Sequence, residues 1–114
     1  MKTFDIYERT FNFSVEIIRF VNSLPKERVT FTLGDQLIRS SCSIGANLRE
    51  AKQARTKKEF ISGFGIAIRE CEEAKYWLEL IKNTIDSSQK CVNLIDESTE
   101  ILKILTSIVK KAKT

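Results

Sequence analysis

The sequence predicts an all-α protein, an up-and-down four-helix bundle, and three observations carry that expectation. The chain has 114 residues with only four Gly and one Pro, too few of either for a turn-rich β fold. Apolar residues recur in steps of four and three along four long stretches. Breaking or capping residues stand between those stretches, at 25–32, 56–59 and 86–88. Four amphipathic helices with short connections close most simply as an antiparallel bundle. The length suits one domain, 1–114, and no linker, internal repeat or low-complexity segment divides it.

Helix one is expected from about Phe4 to Leu24, with Pro25 stopping it. Its polar residues Asp5, Glu8, Arg9, Asn12, Glu16, Arg19 and Ser23 share one arc of the helix. The apolar remainder is wider than the ~100° stripe of a helix buried on one side only. Residues 25–32 read as a connection, and Thr32 or Asp35 supplies the cap for helix two. The seam of helix two is Leu37, Ser41, Ile44, Leu48 and Ala51, within the small-residue run Ser40, Ser41, Cys42, Ser43, Gly45, Ala46. Small side chains admit a close neighbour, so this run reads as packing.

Thr56-Lys57-Lys58-Glu59 before Phe60 and Ile61 matches a capping box and opens helix three. Its seam is Phe60, Phe64, Ala67, Cys71, Ala74, Leu78, Ile81 and Ile85. Asp86, Ser87 and Ser88 then offer the cap for helix four, with the seam Cys91, Leu94, Ser98, Ile101, Leu105, Ile108 and Ala112. Helix three carries more than one apolar face, because Ile66, Tyr76, Trp77 and Leu80 lie away from the main seam. Either an irregular bundle folds them inward or they meet another chain, and the wide apolar arc of helix one favours another chain.

Composition removes most chemistry. The chain contains no His, which excludes His metal ligands, a His general base and Ser-His or Cys-His dyads. Cys42, Cys71 and Cys91 are an odd number without C-x-x-C spacing, so no disulfide framework or zinc site is indicated and the cysteines read as small core residues. Ser87-Ser88-Gln89-Lys90 fits S-x-x-K, yet no S-D-N or K-T-G accompanies it and a helix cap is wanted there. Glu70, Glu72, Glu73 and Glu79 lack the Glu-x-x-His of di-iron bundles and read as a solvated face or as partners for Lys75 and Lys82. Gly63-Phe64-Gly65 fits no phosphate loop and reads as close helix packing. No enzyme, cofactor or small-molecule substrate is expected. The charged N-terminal residues and the absence of a spanning apolar run lead to a cytoplasmic expectation, with no membrane partner.

One surface feature has a direction. Arg49, Lys52, Arg55, Lys57 and Lys58 cluster about the second interhelical turn, diluted by Glu50 and Glu59, in a chain of net charge +4. Such a cluster can neutralise several phosphates and is the candidate nucleic-acid site. The plainer alternative is solubility charge that also suits the C-terminal dipole of helix two. No stacking aromatic is interleaved in the run, and Lys110, Lys111 and Lys113 form a second, terminal patch.

The run Thr32-Leu33-Gly34-Asp35-Gln36-Leu37-Ile38-Arg39-Ser40-Ser41-Cys42-Ser43-Ile44-Gly45-Ala46-Asn47-Leu48-Arg49-Glu50-Ala51 resembles the signature of the bacterial proteins encoded in 23S rRNA intervening sequences, also called S23 ribosomal proteins. Lys58-Glu59-Phe60-Ile61 and the stretch from Glu70 to Leu80 resemble that family's third helix. Two positions depart from it, Gly45 where the family often has Pro and Ala51 where it has Gly, and both make helix two more regular. The resemblance implies a left-handed up-and-down bundle assembled as a ring-shaped homopentamer, with no catalytic residue or cofactor. It also implies a fold-level analogy to the accessory variability determinant of diversity-generating retroelements, a basic pentamer that binds a reverse transcriptase and nucleic acid. Two functions follow as expectations. One is an oligomer binding RNA or a ribonucleoprotein through its basic edge; the other is an adaptor docking a protein on the apolar face of helix three.

Overall fold

In the computed structural model, which describes residues 5–114, the chain forms α1 (Ile6–Asn22), α2 (Arg28–Lys52), α3 (Lys57–Thr84) and α4 (Gln89–Ala112), with no strand among the described residues. Phe4, the expected start of the first helix, lies outside them. Asp5 caps α1 instead, its carboxylate accepting from the amides of Tyr7 at 2.9 Å and Glu8 at 3.3 Å. The expected capping box opens α3: Thr56 Oγ1 accepts from the Glu59 amide at 3.1 Å, while the Glu59 carboxylate accepts from the Arg55 amide at 3.1 Å. Ser88 caps α4 through the Cys91 amide at 3.3 Å, which accounts for the S-x-x-K run as a helix start.

The start of α2 departs from expectation. The helix begins at Arg28 behind an extended Glu27 that makes no side-chain cap, so Thr32 and Asp35 lie inside it. The Thr32 hydroxyl donates to the Arg28 carbonyl at 3.2 Å. A good cap is worth about 1 kcal/mol. The extra turn instead buries Thr30, and Gly34 beyond it packs beneath Val21, so tertiary packing overrides the cap.

Neighbouring helices run antiparallel in the cyclic order α1, α2, α3, α4, with α2 and α3 the most closely packed pair and α1 and α4 the most open. Rising numbers on one helix meet falling numbers on the next. Thr10 meets Gly45 and Val21 meets Gly34 across α1 and α2. The Cys71 thiol donates to the Ser98 carbonyl at 3.3 Å, and that of Cys91 to Leu78 at 3.6 Å, across α3 and α4. Arg9 meets Glu97 and Glu16 meets Lys90 across α1 and α4. The bundle is therefore up-and-down.

The predicted seams form the core, with Ile17, Leu37, Ile44, Leu48, Phe64, Leu78, Ile81, Ile101 and Leu105 fully buried. Each such side chain contributes about 1.5–3 kcal/mol by leaving water. Close approach has two focal points. A Cβ on Gly34 would stand 2.8 Å from Val21 Cγ1, and one on Gly63 would stand 2.7 Å from Ala51 Cβ. Gly65 meets nothing within 4 Å, so only the first glycine of Gly63-Phe64-Gly65 serves packing. Ser40 and Ser41 are buried as the small seam required, their hydroxyls donating to carbonyls of their own helix at 3.0 and 3.2 Å. No helix among the described residues is long and apolar enough to cross a membrane.

Candidate nucleic-acid interface

Antiparallel order decides where the charges gather. α2 ends, α3 begins and α4 ends at one pole of the bundle, so Lys110, Lys111 and Lys113 join Arg49, Lys52, Arg55, Lys57 and Lys58 there. The two patches separate in sequence are one pole in space. All five residues of the basic turn are exposed, and none belongs to an ion pair among the described residues.

Within that pole four of the five cations divide into two pairs. Arg49 and Lys52 lean toward α1: the Arg49 guanidinium lies 5.5 Å from the Phe11 ring centroid, and Lys52 Nζ lies 4.7 Å from that of Tyr7. Arg55 and Lys58 instead line a cleft of about 590 Å³ between the end of α2 and the start of α3, with Asn47, Glu50, Ser62 and Ile66. No aromatic stands within the basic run itself. The bundle supplies two, from a helix some forty residues away in the chain, on the order of a full helical hairpin. Their signal in the sequence was slight: Phe11 and Ile18 stand seven apart, off the line of Ile6, Phe13, Ile17 and Phe20. Phe11 remains 54% exposed. The Tyr7 hydroxyl titrates above its ordinary value, chiefly through burial and secondly through the Asp5 carboxylate.

The four residues singled out on α3 divide as well. Tyr76 is 55% and Ile66 37% exposed, whereas Leu80 is half-buried and Trp77 packs partly on the core. Tyr76 and Trp77 meet edge to face at 5.3 Å. The Trp77 indole N–H is buried without a hydrogen-bond partner among the described residues. Glu70 and Glu73 beside them pair with Arg39 of α2, at 3.5 Å for Glu70, rather than with Lys75 and Lys82. Sequence periodicity sees partners within a helix; this pair spans two.

The remaining ionic contacts close the α1–α4 side. Arg9 and Glu97 form a two-bonded pair at 2.7 Å, which raises the Arg9 pKa, and Lys90 holds the Glu16 carboxyl below its ordinary value. The cleft they border has a volume of about 560 Å³ over Phe13 and Leu94, and four of its charged groups, Arg9, Glu97, Glu16 and Lys90, are engaged with one another. Cys71 and Cys91 are buried free thiols. Burial pushes Cys71 up to about 12 and raises Cys91, so both are poor nucleophiles at neutral pH. No cluster of potential metal ligands occurs among the described residues.

The profile of the 23S rRNA-intervening sequence protein family matches residues 2–107. Among solved structures, a protein of unknown function from the S23 ribosomal protein family of Bacteroides thetaiotaomicron is 37% identical and superposes with a TM-score of 0.86. The match covers 93% of this chain and 99% of that one. No curated protein matches the chain.

Proposed function

The chain belongs to the 23S rRNA-intervening sequence protein family, and from that premise we propose a non-enzymatic, oligomeric protein that binds RNA or a ribonucleoprotein through its basic pole. The observation that carries the proposal is the gathering of Arg49, Lys52, Arg55, Lys57 and Lys58 at the α2–α3 turn with no carboxylate paired to them among the described residues. Elsewhere among the described residues Arg9, Arg19, Arg39, Lys90 and Lys103 belong to ion pairs, and the cations without one are not gathered at a single turn. Unpaired cations at one pole hold condensable charge for phosphates. In a left-handed bundle assembled as a ring of five, as the family resemblance implies, the pole recurs once per subunit and weak contacts multiply. The protein works without cofactor, in the cytoplasm.

Titration of a structured RNA at several salt concentrations tests the proposal. Binding weakens steeply with salt, and Arg55→Gln, Lys57→Gln and Lys58→Gln together lower the affinity about tenfold and flatten the salt dependence by about two to three phosphates. Absence of binding at low salt, or equal binding by the triple variant, overturns it. The adaptor reading then stands on the exposure of Ile66 and Tyr76.

A further inference from the structure

Phe11 and Arg49 stand together at the mouth of a cavity of about 620 Å³ between α1 and the end of α2, whose other walls include Tyr7, Lys52, Glu8 and Asn12. The Phe11 ring is 54% exposed, so it is open to a ligand, and unlike Phe31, which is as exposed, it has a cation over its face. What covers it is constrained by its neighbours. Arg49 and Lys52 are cations without ion-pair partners among the described residues, and both lie over ring faces that present partial negative charge. Docking an apolar polypeptide face here would bury those cations unpaired, which is strongly unfavourable.

A nucleotide meets each group with a complementary one. Its phosphate neutralises Arg49 or Lys52, and its base has a π-face for the Phe11 ring or the guanidinium plane beside it. With only 5.5 Å between guanidinium and ring centroid no base fits between them, so a base stacks on an outer face of the pair. Glu8 in the same lining repels a phosphate but accepts from the amino group of a base, and Asn12 both donates to and accepts from a base's polar edge. Asp5 also lines the cavity, its carboxylate occupied in capping α1.

We propose that this pair binds an unpaired nucleotide, so that the protein selects single-stranded RNA segments by stacking a base on Phe11 and Arg49. The inference rests on the RNA reading above and adds to it the strandedness of the ligand. Duplex RNA keeps its bases stacked inside and offers only backbone to the same pole.

The test uses the full chain, a short A-rich single strand carrying 2-aminopurine, and a blunt duplex of equal length. The wild type prefers the single strand severalfold and quenches the 2-aminopurine emission. Phe11→Leu weakens single-strand binding about tenfold, the order of one lost base–aromatic stack, and abolishes the quench. It leaves duplex binding and salt dependence unchanged because no charge is removed. Phe11→Trp restores both binding and quench, which a folding defect in Phe11→Leu would not explain, and circular dichroism confirms that both variants are helical. Equal single-strand binding by Phe11→Leu, or preference of the wild type for duplex, overturns this inference while the basic-pole reading stands. A changed mass of Phe11→Leu in light scattering also overturns it, assigning the ring to a contact between copies of the chain. Failure of the wild type to bind either RNA at low salt overturns both.

Discussion

Two edges with exposed apolar side chains run along opposite flanks of α2, and they differ in the charge that accompanies them. On the α1 flank, Phe11 and Ile18 are exposed, and Arg49 and Lys52 lean over the aromatic rings without carboxylate partners among the described residues. On the α3 flank, Ile66 and Tyr76 are exposed, and two of the carboxylates between them, Glu70 and Glu73, share Arg39 as their ion-pair partner. Similar apolar exposure therefore suits different partners. An edge that carries cations and carboxylates together is covered by another polypeptide at less electrostatic cost, whereas an edge of unpaired cations favours a polyanion. Exposed hydrophobicity alone does not name a partner; the state of the adjacent ions does.

The largest expected effect breaks the α3 edge. Tyr76→Glu with Leu80→Glu places carboxylates where a neighbouring copy would bury them, so the assembly falls from several chain masses to the 13.1 kDa monomer in light scattering. Emission from the single tryptophan, Trp77, shifts to the red as its partly covered face is wetted. A wild-type monomer at micromolar concentration, or an unaltered double variant, removes the protein-facing half of the comparison. Next comes the converse: the Arg55, Lys57 and Lys58 triple glutamine variant keeps the wild-type mass while losing affinity for RNA. A coincident loss of mass would show that the two flanks are not separate surfaces.

A smaller effect probes how α2 is held between its flanks. Gly63→Ala drives a Cβ to 2.7 Å from Ala51, and overpacking of this kind costs about 1–3 kcal/mol in denaturant unfolding. Gly65→Ala enters open space and gains up to about 1 kcal/mol from helix propensity. Opposite signs at two positions two residues apart confirm the close seam; equal signs remove it.

The smallest effects concern the thiols. Cys42 is half-buried and seven residues from Arg49, hence on the same side of α2, so it alone reacts with a thiol reagent in the native protein at neutral pH. A dye there responds to single-stranded RNA and not to assembly. Cys71 is protonated in the folded state up to about pH 12 against 9.0 ordinarily. The unfolded chain thus loses this proton first, so the contribution of Cys71 is intact below about pH 9.0 and is lost as pH rises toward 12. A melting temperature that falls only above that lower bound checks the sign.

The four helices, the capping box at Thr56 and Glu59, the serine cap before α4 and the buried seams were all legible in the sequence, because each depends on residues within a few positions of one another. The start of α2 was not. Its cap signals at Thr32 and Asp35 are local and weak, and burial of Thr30 with the fit of Gly34 beneath Val21 outweighs them. The candidate site was legible only as a basic turn. Its division into a cleft at Arg55 and Lys58 and an aromatic platform at Arg49 and Lys52 required Tyr7 and Phe11, which antiparallel packing of α1 on α2 delivers. The joining of Lys110, Lys111 and Lys113 to that pole follows likewise from helix order and direction. Sequence by itself determined which residues are helical and which face of each helix turns inward, since helix periodicity and capping act over a turn or two. Only the tertiary structure decided which charges are paired and which rings lie beside the unpaired ones, because Coulomb and cation–π attraction act through space between helices far apart in the chain.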